Sequence, residues 1–390
     1  MQREIVHNLV VDASYVGNRG AYFPAPTSSQ MACNCLTAAG LKSSMGLDMT
    51  NAGDRALLTD QMTNPAVQQR FPQFALVNVN GIPTVPGVYP GFPAAQTLAQ
   101  ALRQVPQWNA LLPWLGPPMG RTWYDSLQIQ VTKRFSHGLQ AQGSFVYAKG
   151  LVNGSSSDST YFLPGATAIN DIYNYAGNKQ LNQYVFPEAA VISATYTTPK
   201  TPGSGFAAKA LSDVVHNCQI GAVLRYQSGA LIGPPPSNNQ LNSQLKRGAA
   251  TYWNVVPGQP LLNVDPNCGC FNPQTVQALN PNAWSDAPAG TFSTSAPYYN
   301  NYRWQRQPQE SASLARNFVM GKEGKYNLQL RVEMYNIFNR LFLSAPSVVA
   351  ANTGLSASGG VNTGGYGYIA TVGGAGAQPR NGQIVMRFQF

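Results

Sequence analysis

Along "SLQIQVTKRF", Leu127, Ile129 and Val131 alternate with Gln128, Gln130, Thr132 and Arg134. Strict period-two alternation puts the two sets on opposite faces of a β-strand. The same pattern recurs along the chain. Leu9, Val11, Ala13 and Tyr15 oppose Asp12 and Ser14; Leu139, Ala141, Phe145 and Tyr147 oppose Gln140, Gln142 and Ser144. Ala190, Ile192, Ala194 and Tyr196 oppose Ser193, Thr195 and Thr197. Ile220, Ala222, Leu224 and Tyr226 oppose Gln219, Arg225 and Gln227. "ESASLARNF" has a weaker pattern, with Ala312, Leu314 and Phe318 on its apolar side. Leu328, Leu330, Val332 and Met334 oppose Asn327, Gln329, Arg331 and Glu333. In the last segment Ile384, Met386, Phe388 and Phe390 oppose Gln383, Arg387 and Gln389. The pattern predicts an all-β, antiparallel chain of about eight strands, each roughly ten residues long.

The spacing between strands narrows the architecture. Short or moderate connections ("FSHG", "TPKTPGSG" and its continuation, "VMGKEGK") alternate with long ones at about 18–120, 151–186, 230–308 and 341–380. A compact soluble domain seldom carries four long structureless loops. A transmembrane β-barrel does, with short periplasmic turns and long extracellular loops. On this reading Met1 starts on the periplasmic side and eight crossings return Phe390 to it.

Aromatic spacing supports a membrane. Trp123 and Phe135 share the apolar face, twelve residues apart, which spans about 28 Å of height at a tilt near 45°. The expected apolar band is about 25 Å, rimmed by aromatics. Lys133, beside Phe135, is placed to snorkel into headgroups. Arg316 and Phe318 repeat the arrangement, and Phe388 and Phe390 complete a set of interface aromatics. A terminal aromatic is also the usual form of the signal read by the barrel-assembly machinery.

Composition changes the picture little. Charged residues make up 10% of 390, and 37 glycines and 29 prolines indicate many turns. Mean hydropathy is -0.18. The chain has no run of about 18 apolar residues, so no transmembrane helix is expected. The start "MQREIVHNLVV" lacks the form of a signal peptide. Net charge is +10, but the 25 Lys and Arg are scattered singly, which argues against nucleic acid as a partner. Cys33 and Cys35 lie in "CNC" and Cys268 and Cys270 in "CGC". Neither has zinc spacing, and a bridge between the two motifs is the plainer expectation, leaving Cys218 over.

Candidate chemistry is sparse. His7, His137 and His216 sit near the inferred periplasmic strand ends without a catalytic neighbour in any recognisable motif. The chain carries no nucleophile elbow, zincin, P-loop or dinucleotide signature, so no catalytic residues, cofactor or metal are expected. "DMTNAGD" has oxygen ligands but lacks EF-hand spacing. The tract "TGLSASGGVNTGGYGYIATVGGAGAQ" reads as a flexible loop. The inward charges Asp12, Arg134, Arg225, Arg331, Glu333 and Arg387 are expected to line a lumen, steering a solute or pairing with one another. Loop aromatics Trp108, Trp114, Trp253, Tyr298, Tyr299, Tyr302 and Trp304 are the candidates for a ligand site; the alternative is that these rings hold the loops together.

"NLVVDASYVGNRG", "YDSLQIQVTKRFSHGLQAQGSFVYAKG", "LNPNAWSDAPAGTF" and "LQLRVEMYNIFNR" together resemble the C-terminal barrel of Oar-like TonB-dependent outer-membrane receptors of the acidobacterial type. The resemblance runs over nearly the whole chain, 1–390. It implies an outer-membrane location, a parent with signal peptide, plug domain and a barrel of about 22 strands, and TonB-coupled uptake of a large solute such as a carbohydrate, peptide or chelate. Signal, TonB box and plug are not found here. The resemblance therefore implies a C-terminal fragment, an open section of a larger barrel that reaches the TonB complex only through a plug absent from this chain. The competing expectation is a soluble or surface-displayed β-rich adhesion or carbohydrate-binding module.

Overall fold

The structure, a computed structural model, describes residues 2–23, 34–108, 120–153, 171, 174, 176–199, 215–237, 239, 241, 245, 251–320, 325–370 and 379–390. Nine strands form one antiparallel meander in chain order. They are β1 (Gln2–Val6), β2 (Leu9–Phe23), β3 (Gly120–Ser136), β4 (Leu139–Asn153) and β5 (Glu188–Thr197), followed by β6 (Cys218–Gln227), β7 (Gln309–Met320), β8 (Tyr326–Tyr335) and β9 (Asn381–Gln389). The short strand Gln180–Leu181 also pairs with β4. Among the described residues β1 and β9 are the edges and do not meet, so the sheet is open.

The expected count of about eight is thus corrected to nine along the main path. Gln2–Val6 is too short to show a period, yet it pairs with β2 through Gln2↔Asp12 and Arg3↔Val11. Gln2 therefore lies part-way up the sheet and not, as expected for the start of the chain, at the end where the tight turns lie. The long strands also outrun the alternating segments: β2 continues to Phe23 and β4 to Asn153.

Register shows why the alternation is so regular. Directly paired residues share a face. One row runs Val11, Val131, Gly143, Ile192, Leu224 across five strands. The next runs Ala13, Ile129, Phe145, Ala190, Tyr226. Val332↔Ile384, Leu330↔Met386 and Leu328↔Phe388 extend the same face on β8 and β9. This face is exposed: Leu127 is 44% accessible, Leu314 53% and Ile384 78%. The other face carries mainly Gln, Ser, Thr, Asn and charges, with Val10, Val16, Val146, Val191, Val223 and Val385 among them. Large apolar side chains left bare over eight strands need an apolar solvent. Among the described residues no helix is long and apolar enough to cross a membrane.

The rims give the strand tilt. On β3 the uncharged stretch of this face ends above at Asp125 and below at Lys133. On β7, four strands away, it ends at Glu310 and Arg316. Glu310 lies in register with Val131, six residues below Asp125, and Ala312 lies in register with Lys133, four residues above Arg316. At about 3.3 Å per residue and 4.8 Å per strand, these offsets give tilts of roughly 45° and 35°. Both fall in the range of membrane barrels. The stretch from Asp125 to Lys133 covers only about 19 Å of height, so the upper boundary on β3 lies below Trp123. Lys179 Nζ stands 4.2 Å over the Trp123 ring. At the lower rim Phe135 is 63% exposed, Arg316 lies over Phe318, and Phe388 stacks between Tyr326 and Phe390.

The β3–β4 turn is set by His137 (φ 51°) and Gly138 (φ 82°). Two consecutive positive φ angles match the right-handed strand twist. A Cβ on Gly138 would stand 2.3 Å from the Thr197 carbonyl oxygen. Gly138→Val should cost about 1–3 kcal/mol, measured as a lowered midpoint of chemical unfolding in micelles, while Gly143→Ala, with only Ile192 nearby at 4.0 Å, should be close to neutral.

The buried apolar side chains are almost all outside the sheet. One cluster gathers Leu41, Leu47, Leu58, Met62, Val67, Phe92 and Leu98 from the β2–β3 connection with Leu241 and Leu245 from the β6–β7 connection. A second gathers Ile232, Trp253, Leu279, Trp284, Tyr302 and Trp304 with Tyr366 and Ile369 from the β8–β9 connection. The described parts of the β2–β3, β6–β7 and β8–β9 connections are therefore folded, not structureless. Helices α1 (Ala38–Met45), α2 (Ala52–Thr59), α3 (Pro65–Arg70) and α4 (Leu98–Ala101) start on Thr37, Asn51, Asn64 and Thr97, whose side chains accept first-turn N–H groups. Such caps contribute about 1 kcal/mol each. Part of the tract expected to be a flexible loop forms a hairpin, Ser356–Ser358 with Val361–Gly364.

Candidate functional site

Asp12, Arg225, Arg331, Glu333 and Arg387 fall on the polar face by register, and the Arg134 N–H donates to the Asn8 carbonyl one step beyond the last β2–β3 register pair. Arg331 Nε lies 2.8 Å from Glu333 Oε1. Glu333 Oε2 accepts from the Tyr335 hydroxyl at 2.8 Å and from Gln383 Nε2. Arg225 donates to Gln227 Oε1 at 3.2 Å. Arg387 faces Gln329 across β8–β9, and Asp12 faces Gln130 across β2–β3. The wall is thus a polar lattice in which some charges neutralise each other, and its amides can exchange hydrogen bonds with a polar solute or water.

The loop aromatics divide differently. Tyr302 is fully buried, and Trp253 and Trp304 are 8% and 6% exposed. Trp304 Nε1 donates to the Leu343 carbonyl at 3.0 Å, Tyr302 and Tyr366 hydroxyls lie 3.2 Å apart, and Trp284 packs on Tyr299 and Tyr302. These rings hold the β6–β7 and β8–β9 connections together and present little surface to a ligand. Tyr298 is half-buried and donates to Gln183 Oε1 at 3.1 Å. Trp108 is 49% exposed, and Trp114 lies outside the described residues.

Burial pushes the hydroxyl of Tyr366 up to about 12, with Tyr302 acting in the opposite sense. Burial raises Tyr302 further. Both phenols are held neutral, so their contribution to stability is complete below the ordinary tyrosine value near 10 and is lost as pH rises through the folded values. The lobe is expected to open between about pH 10 and 12, seen as coincident phenolate absorbance and a shift of tryptophan emission; phenolate forming while emission stays constant would contradict it.

A cavity of about 740 Å³ lies elsewhere. Its floor includes Phe145, Ala190 and Tyr226, register neighbours on the apolar face, and its opposite wall includes Asn267, Phe271, Arg306 and Leu341. Arg340 on its edge is tied to Glu310. Because the floor belongs to the apolar face, the cavity is not part of the polar wall. No sequence pattern marked it, since its two sides meet only through register and loop folding.

Cys268 and Cys270 are bonded to each other within "CGC", Cα atoms 5.2 Å apart. The expected bridge between motifs is therefore corrected: one residue between the two cysteines leaves enough chain to close the ring locally. Cys35 is also disulfide-bonded, Cys33 lies outside the described residues, and Cys218 is a free thiol. In "DMTNAGD", Asp48 accepts from Lys42 Nζ at 2.7 Å and from Thr50, while Asn51 caps α2; these oxygens serve the loop. Among the described residues no His/Cys/Asp/Glu group could hold a metal.

The family model for the outer membrane beta barrel domain matches residues 1–383. The chain belongs to that family. No curated protein and no solved structure matches it. Membership in an outer-membrane barrel family accords with a sheet of two unlike faces, one of them rich in exposed apolar side chains. The folded connections lie at the end of the sheet opposite the tight turns.

Proposed function

We propose that this outer-membrane barrel chain is part of the wall of a receptor-transporter for a large solute, a carbohydrate, peptide or chelate, whose uptake in the full-length parent is driven by the TonB complex through a plug. It serves as a conduit and binding wall, not as an enzyme. The observation that carries the reading is the open nine-strand wall, one face of which is mainly polar. A closed barrel of about eight strands fills its interior with side chains; a wall of nine strands still unclosed suits a wider, wet lumen. The resemblance to Oar-like receptors supplies the TonB coupling. Outer-membrane lipid and the barrel-assembly machinery, reading the Phe390 terminus, are the partners this implies.

Cells lacking the gene should lose energy-dependent accumulation of at least one labelled oligosaccharide, peptide or chelate taken up by complemented cells. Equal accumulation of every probe in both strains, or uptake indifferent to a protonophore, would sink the reading. A soluble or surface-displayed adhesion module predicts extraction without detergent and no change of gel mobility on boiling; the barrel predicts the opposite on both counts.

A further inference from the structure

We propose that the outer rim of β2, β3 and β4 is a binding site for the phosphate groups of an anionic lipid in the adjoining leaflet. It rests on the membrane-facing sheet and is independent of solute uptake.

The site follows from register. On the apolar face, just above the Tyr15, Leu127, Tyr147 row, Asp125 lies between Gly17 of β2 and Lys149 of β4. One step higher Arg19 is in register with Trp123, and Arg121 stands two residues further up β3. Lys179 reaches the same face through its contact with the Trp123 ring at 4.2 Å. Four cations thus lie on the apolar side of the wall beside or above one carboxylate. Arg19 binds that carboxylate through two contacts at 2.7 and 3.0 Å, and the Tyr15 hydroxyl donates to it as well. Asp125 is therefore already engaged. Arg121, Lys149 and Lys179 are exposed, and none is in an ion pair with a described residue. Glu188, the next acid on this face, is in register with Tyr147 and is not ion-paired with Lys149.

Cations set directly over hydrocarbon-facing side chains have two possible uses. They can extend into water, or they can bind an anion that is itself anchored in the apolar layer. The second is favoured by position. Leu127 and Tyr147 lie immediately below and are 44% and 56% exposed, so an amphiphile could lay its chains on them with its phosphates beside Lys149, Lys179 and Arg121. Guanidinium and ammonium groups form short charge-assisted hydrogen bonds to phosphate oxygens. The polar face offers a contrast: Arg331 there is paired within its own strand.

The test uses the full chain folded in dodecyl maltoside, with a diphosphorylated glucosamine-disaccharide lipid added to the micelles. Acetylation of Lys149 and Lys179 should fall about threefold or more as the lipid is added, while Lys42, held by Asp48 in the loop lobe, should label as before. Inorganic phosphate and the dephosphorylated lipid should not protect. By native mass spectrometry the triple change Arg121→Gln, Lys149→Gln, Lys179→Gln should weaken lipid binding about tenfold. Removing the same charge from the opposite face, with Arg225→Gln, Arg331→Gln and Arg387→Gln, should leave it unchanged. Unaltered labelling in the wild type, equal protection by inorganic phosphate, or equal loss in both triple variants would each overturn the proposal. The wild-type footprint needs no variant and decides the matter even if the first triple variant fails to fold.

Discussion

Ile129→Arg is expected to destabilise the folded protein in micelles or vesicles by about 2–4 kcal/mol. Ile129 sits midway between Asp125 and Lys133 on the apolar face, in register with Ala13 and Phe145. A guanidinium there is about as far from either polar rim as this strand allows, so snorkelling gives it least relief. The neighbouring change Gln130→Arg places the same charge on the polar face and should cost no more than about 0.5 kcal/mol. Equilibrium denaturant unfolding, with the boiled-versus-unboiled gel shift as a check on folding, separates the two. Equal costs at 129 and 130 would mean that the two faces see the same surroundings, contrary to a membrane-facing sheet.

Arg340→Met is the second large effect. Glu310 opens β7 with its side chain fully buried. Its carboxylate receives Arg340 Nε at 2.9 Å on both oxygens and Nη2 at 2.8 Å. Its backbone carbonyl also accepts from Ile337 N at 3.0 Å, so the turn after β8 is bound to the head of β7. Removing the guanidinium leaves a buried charge without its partner, at a cost of about 3–5 kcal/mol. Changing both residues, Glu310→Met with Arg340→Met, should recover most of that loss, because the desolvated charge goes as well. A double variant no better than Arg340→Met would show that the pair acts through packing and not through charge.

The strands were legible because hydrocarbon tolerates few exceptions. One polar side chain at Leu127 or Ile384 would be costly, so the period-two pattern stays clean through the bilayer and strand positions follow from it. Above the bilayer that pressure ends. "GNRGAYF" at the top of β2 no longer alternates cleanly, and the strand's continuation to Phe23 was invisible for that reason. β1, at five residues, is too short to display a period at all. The folded connections were hidden for a different reason. Their helices run four to eight residues, two turns at most, so no amphipathic repeat can build up. Their core also joins residues far apart in the chain, such as Leu36, whose N–H donates to the Leu245 carbonyl. The shared face of Asp12, Arg225, Arg331, Glu333 and Arg387 needed only strand parity to read. The burial of Tyr302 and Trp304 needed knowledge of Tyr366, which lies in a glycine-rich tract that looked unstructured. The disulfide in "CGC" was misjudged because sequence spacing ranks pairings poorly when one residue separates the cysteines.

The two loop cores share a member: the β6–β7 connection contributes Leu241 and Leu245 to one and Trp253, Trp284 and Tyr302 to the other. Through it the connection that follows β2 is fastened to the one that precedes β9. Those strands lie near opposite ends of the meander, so the fastening works as a strap across the top of the wall. Splaying the strands would have to stretch that strap, so the spacing of the strands is held by the connections as well as by the hydrogen bonds between neighbours.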